Sequence, residues 1–244
     1  MYKHYFIFFL LLCLKTSAQI THSHNDYEQK EPFFMAYNLG FDSIEADVYI
    51  KNNEIYVAHD WDKISLDRTF TKLYLNPILE KIKENNGYPY PNKKPLHLLI
   101  DLKKDGREIL TLLTEKLKPY KKALRHVTIT ISGDMPAPNE FKNFDDIFYF
   151  DGRNELTYSI KQYKRVTIMS SGITVFGKYW NGKAPLLDEM VLKIKNFVTE
   201  NHSKGKKVRL WGTPNTILGF ETLKNLEVDY IGTDDLELLA NFMK

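Results

Sequence analysis

Apolar positions along the chain alternate between short β-rich runs and longer stretches of helical period, the pattern of repeated parallel βαβ units. The short runs predict eight strands, at 19–22, 42–49, 96–102, 126–131, 147–151, 166–170, 207–211 and 229–233. Between and after them, 32–39, 75–84, 107–117, 155–163, 187–202, 216–223 and 235–243 read as helices. The helix at 187–202 has the clearest period, with Leu187, Met190, Val191, Ile194, Phe197 and Val198 on one stripe. Eight strands with intervening helices, in one core of about 225 residues, predict a closed (β/α)8 TIM barrel over 19–244. One break in the alternation is informative. After the second strand, Asn52-Asn53 turns directly into a further β-rich run at 54–58, a hairpin expected to carry His59 back over the barrel mouth.

The first eighteen residues have a different character. Lys3 and His4 open them, an apolar run covers 5–14, and Thr16-Ser17-Ala18 supplies small residues before Gln19. That predicts a signal peptide at 1–18 and an exported protein, periplasmic or extracellular. The run is about half the roughly 20 apolar residues a spanning helix needs. Cys13 is the only cysteine, so disulfides and thiolate chemistry are not expected after cleavage. Loss of Lys3 and Lys15 changes 34 basic against 31 acidic residues to 32 against 31. A net charge near +1 argues against nucleic acid as a partner, and nothing marks an obligate protein partner.

Chemistry concentrates at the predicted strand ends, which form the active face of a parallel barrel. Glu45 and Asp47 stand two apart on one strand and share a face. Two inward carboxylates are costly unless a cation joins them. The alternative is an edge strand on which both face water. Asp101, ending another apolar strand, offers a third carboxylate, and Lys103 on the same face can neutralise a phosphate oxygen. An all-oxygen set suits one hard divalent cation, Mg or Ca. His24 and His59 both fall at strand ends and can serve as an acid/base pair. His22 competes with His24, while His97, His126 and His202 read as structural or surface residues.

Asp234 and Asn215 read as helix caps. Trp211 could wall a substrate site, and the aromatic loop 175–181 could form a lid or a lip in transient contact with a membrane surface.

Gly40-Phe41-Asp42-Ser43-Ile44-Glu45-Ala46-Asp47-Val48, followed by Val57-Ala58-His59-Asp60, resembles the signature of the glycerophosphodiester phosphodiesterase and phosphatidylinositol-specific phospholipase C superfamily. His24-Asn25-Asp26-Tyr27, Arg68-Thr69-Phe70 and Leu73-Tyr74-Leu75-Asn76-Pro77 are similar to one branch of it, the altered inheritance of mitochondria protein group. The likeness runs from about His22 to Asp234 and is carried mostly by residues up to Lys103. It implies a (β/α)8 barrel of the PLC-like type and a metal-dependent phosphoric diester hydrolase acting on a glycerophosphodiester or phospholipid-type substrate. His24 and His59 would be catalytic, Glu45, Asp47 and Asp101 would hold the cation, and Asn25, Lys103 and Trp211 would meet substrate. Asn25 stands where these enzymes usually carry arginine, and Asp101 where they tend to carry glutamate. The runner-up is a non-catalytic metal- or ligand-binding barrel module. A glycosidase using Glu45 and Asp47 is weaker, because acids so close cannot flank a glycosidic bond.

Overall fold

The computed structural model describes residues 19–244, so the predicted leader lies outside the described residues. Nine strands are present among them: β1 (Ile20–Ser23), β2 (Ser43–Lys51), β3 (Glu54–Val57), β4 (Leu96–Leu102), β5 (Val127–Gly133), β6 (Phe148–Gly152), β7 (Val166–Gly172), β8 (Lys207–Trp211) and β9 (Tyr230–Thr233). All except β3 run parallel. β1 closes the ring by pairing with β9, Ile20 to Tyr230, and with β2, His22 to Ser43. The result is the closed eight-stranded (β/α)8 barrel that the periodicity predicts. β3 is the expected hairpin, pairing antiparallel with β2 through a turn in which Asn52 and Asn53 both take positive φ.

The helices are α1 (Phe34–Asn38), α2 (Asn76–Glu84), α3 (Gly106–Leu117), α4 (Ile160–Tyr163), α5 (Asp188–Ser203), α6 (Ile217–Asn225) and α7 (Leu236–Phe242). Two are shorter than their patterns suggest. Phe33 sits at φ 65°, which stops α1 extending backwards. Ser159 and Gln162 form a capping box that starts α4 only at Ile160. In α5, Met190, Ile194, Phe197 and Val198 are buried, whereas Leu187 precedes the helix and is exposed.

The two faces of β2 explain the architecture. Ile44, Ala46 and Val48 point outward into the main apolar core beneath the helices, while Ser43, Glu45 and Asp47 point into the lumen. A separate small cluster of Leu99, Ile168 and Tyr230, with Ile20 against it, fills part of the lumen. The rest of the lumen is polar. His97 bridges Ser43 Oγ at 2.7 Å and Thr130 Oγ1 at 2.8 Å. His22 bridges Ser43 Oγ at 2.7 Å and Glu45 Oε2 at 2.8 Å. Both rings are therefore structural, and His22 is withdrawn as a competitor to His24.

Burial pushes the His97 pKa down to about 3. A histidine with a lowered folded-state pKa is neutral in the native state, while the unfolded chain takes up a proton below its ordinary pKa of about 6.5. Stability from His97 is therefore intact above that value and falls with pH down to about 3. In urea titrations, wild type is expected to lose ground to His97→Gln across this window, at up to about 1.4 kcal/mol per pH unit. A gap that does not change with pH would show that the ring is not held neutral.

Candidate active site

β2 delivers both carboxylates to the C-terminal mouth, each nearly buried. Glu45 Oε2 accepts from Arg209 Nη2 at 2.6 Å, across the lumen on β8, as well as from His22. Burial alone would raise its pKa, but Arg209 and His22 outweigh burial and hold it well below the usual carboxylate range. Asp47 lies on the other side of this balance. Burial and the neighbouring Glu45 charge push its pKa up to about 6, against the pull of Lys103. Its Oδ2 accepts from Tyr27 Oη at 2.5 Å and from Lys103 Nζ at 2.7 Å, while its Oδ1 is buried without a hydrogen-bond partner. Lys103 also reaches Asp101 Oδ2 at 2.8 Å, and Ser132 Oγ donates to Asp101 Oδ1 at 2.7 Å. The alternative of two acids facing water on an edge strand is excluded by their burial and by barrel closure.

The three carboxylates do not converge as the sequence suggests. Among the described residues, no group of three or more His, Cys, Asp or Glu side chains stands close enough to hold a metal ion. The physical reason is Lys103, whose ammonium takes the charge of both Asp47 and Asp101. A hard cation is nevertheless compatible with β2. Asp47 Oδ1 is an orphaned carboxylate oxygen beside a second carboxylate, and repulsion between the two is what such an ion would relieve.

Both histidines are anchored through Nδ1. His24 Nδ1 donates to Asp234 Oδ1 at 2.8 Å, and Asn215 Nδ2 donates to Asp234 Oδ2 at 3.0 Å. Burial would lower the His24 pKa, but the Asp234 hydrogen bond and the Glu45 charge hold it above its ordinary value. His59 Nδ1 lies 3.0 Å from Tyr27 Oη and 3.3 Å from Asp47 Oδ2. The single hydroxyl proton of Tyr27 has Asp47 Oδ2 and Asn25 Oδ1 as acceptors, so His59 Nδ1 is the donor in its own contact with the hydroxyl. Each ring thus keeps Nε2 for chemistry. They do not open onto one hollow. His24 lines a cavity of about 550 Å³ with Glu45, Asp101, Lys103, Arg209 and Trp211. His59 lines a second hollow with Asn25, Tyr27, Lys63 and Arg68.

Of the substrate-facing candidates, Lys103 and the half-exposed Trp211 stand at the cavity that His24 lines. A Cβ at Gly172 would come within 2.8 Å of the Trp211 indole ring, so a larger residue there would displace the indole. Asn25 stands at the other hollow, beside His59. At φ 48° its Nδ2 donates to Asp234 Oδ1 at 3.1 Å, and its Oδ1 lies 2.8 Å from Tyr27 Oη, whose one proton goes to Asp47. In the aromatic loop, Phe176 and Trp180 are buried and, of its large apolar residues, Val175 and Tyr179 project.

The helix caps are also corrected by one position each. Asp235 and Thr216 cap α7 and α6. Asp234 and Asn215 are thereby free to support His24. Sequence reasoning missed Arg209, although Lys207-Val208-Arg209-Leu210-Trp211 alternates polar and apolar residues as a lumen strand does. It placed Asp151 at a strand end and Tyr27 in a motif but gave neither a role, and both are buried.

Asp234→Asn is expected to lower kcat/KM for a phosphodiester roughly 10- to 100-fold, mostly through kcat, in line with the loss of an orienting hydrogen bond beside a proton-transfer group. Because the Asp234 interaction raises the His24 pKa, the limb of the pH–rate profile that titrates His24 should move to lower pH in this variant. An unshifted profile would reduce Asp234 to a structural contact.

Residues 14–132 match the family described as the AIM6-like phosphodiesterase domain. Altered inheritance of mitochondria protein 6 of Eremothecium gossypii is 26% identical over an alignment covering 91% of this chain and 68% of that protein. A homologue from Arthroderma benhamiae is 25% identical, covering 79% and 72%. Among solved structures, a glycerophosphodiester phosphodiesterase from Parabacteroides distasonis superposes with a TM-score of 0.62 at 14% identity, covering 93% of this chain and 97% of the other. A calcium-dependent phosphoinositol-specific phospholipase C from a Pseudomonas species follows the same fold, with a TM-score of 0.59 at 12% identity and coverage of 91% and 90%. Family, relatives and folds agree on one likeness: the chain is similar to AIM6-like phosphodiesterase domains and shares the fold of these glycerophosphodiester phosphodiesterase and phospholipase C structures.

Proposed function

We propose that this protein is an exported, divalent-cation-assisted phosphoric diester hydrolase acting on a glycerophosphodiester or a phospholipid head group. The observation that carries the reading is the pair of Nδ1-anchored imidazoles set about two lumen carboxylates and Lys103 at the barrel mouth. The leader at 1–18 supports export, and the projecting Val175, Tyr179 and Trp211 support transient contact with a membrane surface.

The chain's own groups suffice to describe the proton path. One imidazole Nε2 takes the proton of the attacking hydroxyl, from water or from the substrate itself, as its oxygen bonds to phosphorus. The ester P–O bond on the opposite side breaks, and the departing oxygen receives a proton from the second imidazole. Lys103 places a positive charge beside the phosphoryl oxygens, and Arg209 keeps Glu45 ionised throughout. Glu45 and Asp47, with Asp101 as the third candidate, would hold Mg or Ca, which when bound polarises the phosphoryl group as a Lewis acid.

The test is the purified protein on a panel of phosphodiesters, stripped with EDTA and then given back Mg²⁺ or Ca²⁺. Turnover that falls on stripping and returns with one cation is expected. No turnover of any diester, with a cation still bound, would instead make the barrel a non-catalytic binding module.

A further inference from the structure

The polar layer inside the barrel holds groups that the proton path does not use. His22, Ser43, His97 and Thr130 are all buried, and Thr167 is partly buried beside them. The strand register builds the layer, since His22 of β1 pairs with Ser43 of β2, and Ser43 pairs with His97 of β4. Their polar atoms form one unbroken chain. From Glu45 Oε2 it runs 2.8 Å to His22 Nε2, from His22 Nδ1 2.7 Å to Ser43 Oγ, and from there 2.7 Å to His97 Nδ1. His97 Nε2 lies 2.8 Å from Thr130 Oγ1, which lies 2.8 Å from Thr167 Oγ1.

The direction of every bond in this chain follows from one charge. Arg209 holds Glu45 ionised, so the carboxylate only accepts, and His22 Nε2 carries the proton between them. Burial and the Arg209 charge push the His22 pKa down to about 4 against the pull of Glu45, so the ring is neutral and its Nδ1 accepts from Ser43. With its single proton spent there, Ser43 Oγ accepts from His97, whose own proton therefore sits on Nδ1. Burial keeps His97 neutral as well, so its Nε2 accepts from Thr130, and Thr130 in turn accepts from Thr167. All five donors point toward Glu45, and bonds aligned in this way reinforce one another. The contacts from His22 and Arg209 both fall on Glu45 Oε2, at the cavity that Glu45 lines.

We infer that this chain is a directional array in which Ser43, His97 and Thr130 are positioning residues. They lock His22 with its Nε2–H on Glu45 and so fix that carboxylate at the barrel mouth. A His22 ring turned over would set carbon where each nitrogen now stands and would leave Glu45 without this donor. The inference rests on the proposed function only where it takes Glu45 as a ligand of the divalent cation. The proton positions do not depend on that reading.

Nitrogen NMR spectra of the histidine-labelled protein read the tautomers directly. Protons on Nε2 of His22 and Nδ1 of His97 are expected, and the reverse tautomer on either ring overturns the array. Ser43→Ala removes the acceptor of the His97 Nδ1–H, so His97 should change to its Nε2–H form with Thr130 accepting. Mg²⁺ or Ca²⁺ titrated into the same variant by calorimetry should bind roughly 10- to 100-fold more weakly than to wild type, the loss seen when an outer partner of a metal ligand is removed. Thr130 stands four hydrogen bonds from Glu45, so it separates positioning from direct contact. Thr130→Val, which keeps the shape, should weaken the cation several-fold, whereas Thr130→Ser, which keeps the hydroxyl, should bind it as wild type does. This pair carries the test if Ser43→Ala does not fold. Affinities that do not follow the hydroxyl overturn the positioning role. A wild-type protein that binds neither cation would sink the cation-assisted reading alone. The array is then decided by the His22 Nε2–H signal, expected to resist solvent exchange in wild type and to exchange readily in Ser43→Ala and Thr130→Val; equal protection throughout overturns it.

Discussion

His59→Ala is expected to lower kcat/KM for any diester the protein cleaves by about 10²- to 10⁴-fold, and His24→Ala by a similar factor, the range for loss of a general acid or base. His59 is more than half exposed, so its removal should leave the fold intact. Its effect would then report chemistry and not stability. The two losses should not add. Proton removal and proton delivery act within one displacement, so the double variant is expected to be little worse than the weaker single one. Rates with thermal melts of each variant decide the matter. A single variant that keeps more than about a third of wild-type kcat/KM with an unchanged melt would remove that histidine from the reaction.

Arg209→Met is expected to have the largest effect on stability. Arg209 and Glu45 are both about 5% exposed, with Nη2 and Oε2 at 2.6 Å, so the variant leaves a buried carboxylate without its cation. Breaking such a pair on one side costs about 3–5 kcal/mol. Two features moderate the loss. His22 already contacts the same oxygen, and removing the positive charge of Arg209 lifts one of the influences that lower its pKa, so His22 can take up a proton more readily. Adding Glu45→Gln should therefore recover part of the loss, since the charge that needs compensation has gone. Urea midpoints of the two single variants and the double variant measure this coupling. An Arg209→Met protein within about 1 kcal/mol of wild type would show that Glu45 does not depend on Arg209.

Much of this molecule is legible from local pattern. Every predicted strand is present within a few residues of its expected position, because period-two alternation and flanking turn residues are properties of short segments. The Asn52-Asn53 hairpin was readable for the same reason, since two consecutive residues that tolerate positive φ select the turn. Glu45, Asp47, Asp101 and Lys103 were readable as a strand-end set because alternate residues share a face. The helix caps were less so. Asp234 against Asp235, and Asn215 against Thr216, differ by one position, and only the geometry of the turn decides which side chain meets the helix amides and which meets His24.

The sequence by itself thus determined the barrel, the order of its strands and the residue types at its mouth, all of which follow from near-neighbour periodicity. Tertiary structure alone decided the partners. Arg209 meets Glu45 across 164 positions of chain, Asp234 meets His24 across 210, and Tyr27 reaches Asp47 and His59 from a separate turn. Those pairings exist because closing the ring brings β8 and β9 back beside β1 and β2 and points their alternate residues into one lumen. The pairing of β2 with β4 sets Asp47 opposite Asp101, with Lys103 between these two acids that the sequence suggested for a cation, and the folded barrel leaves Asp151 buried, a state that no local pattern could reveal.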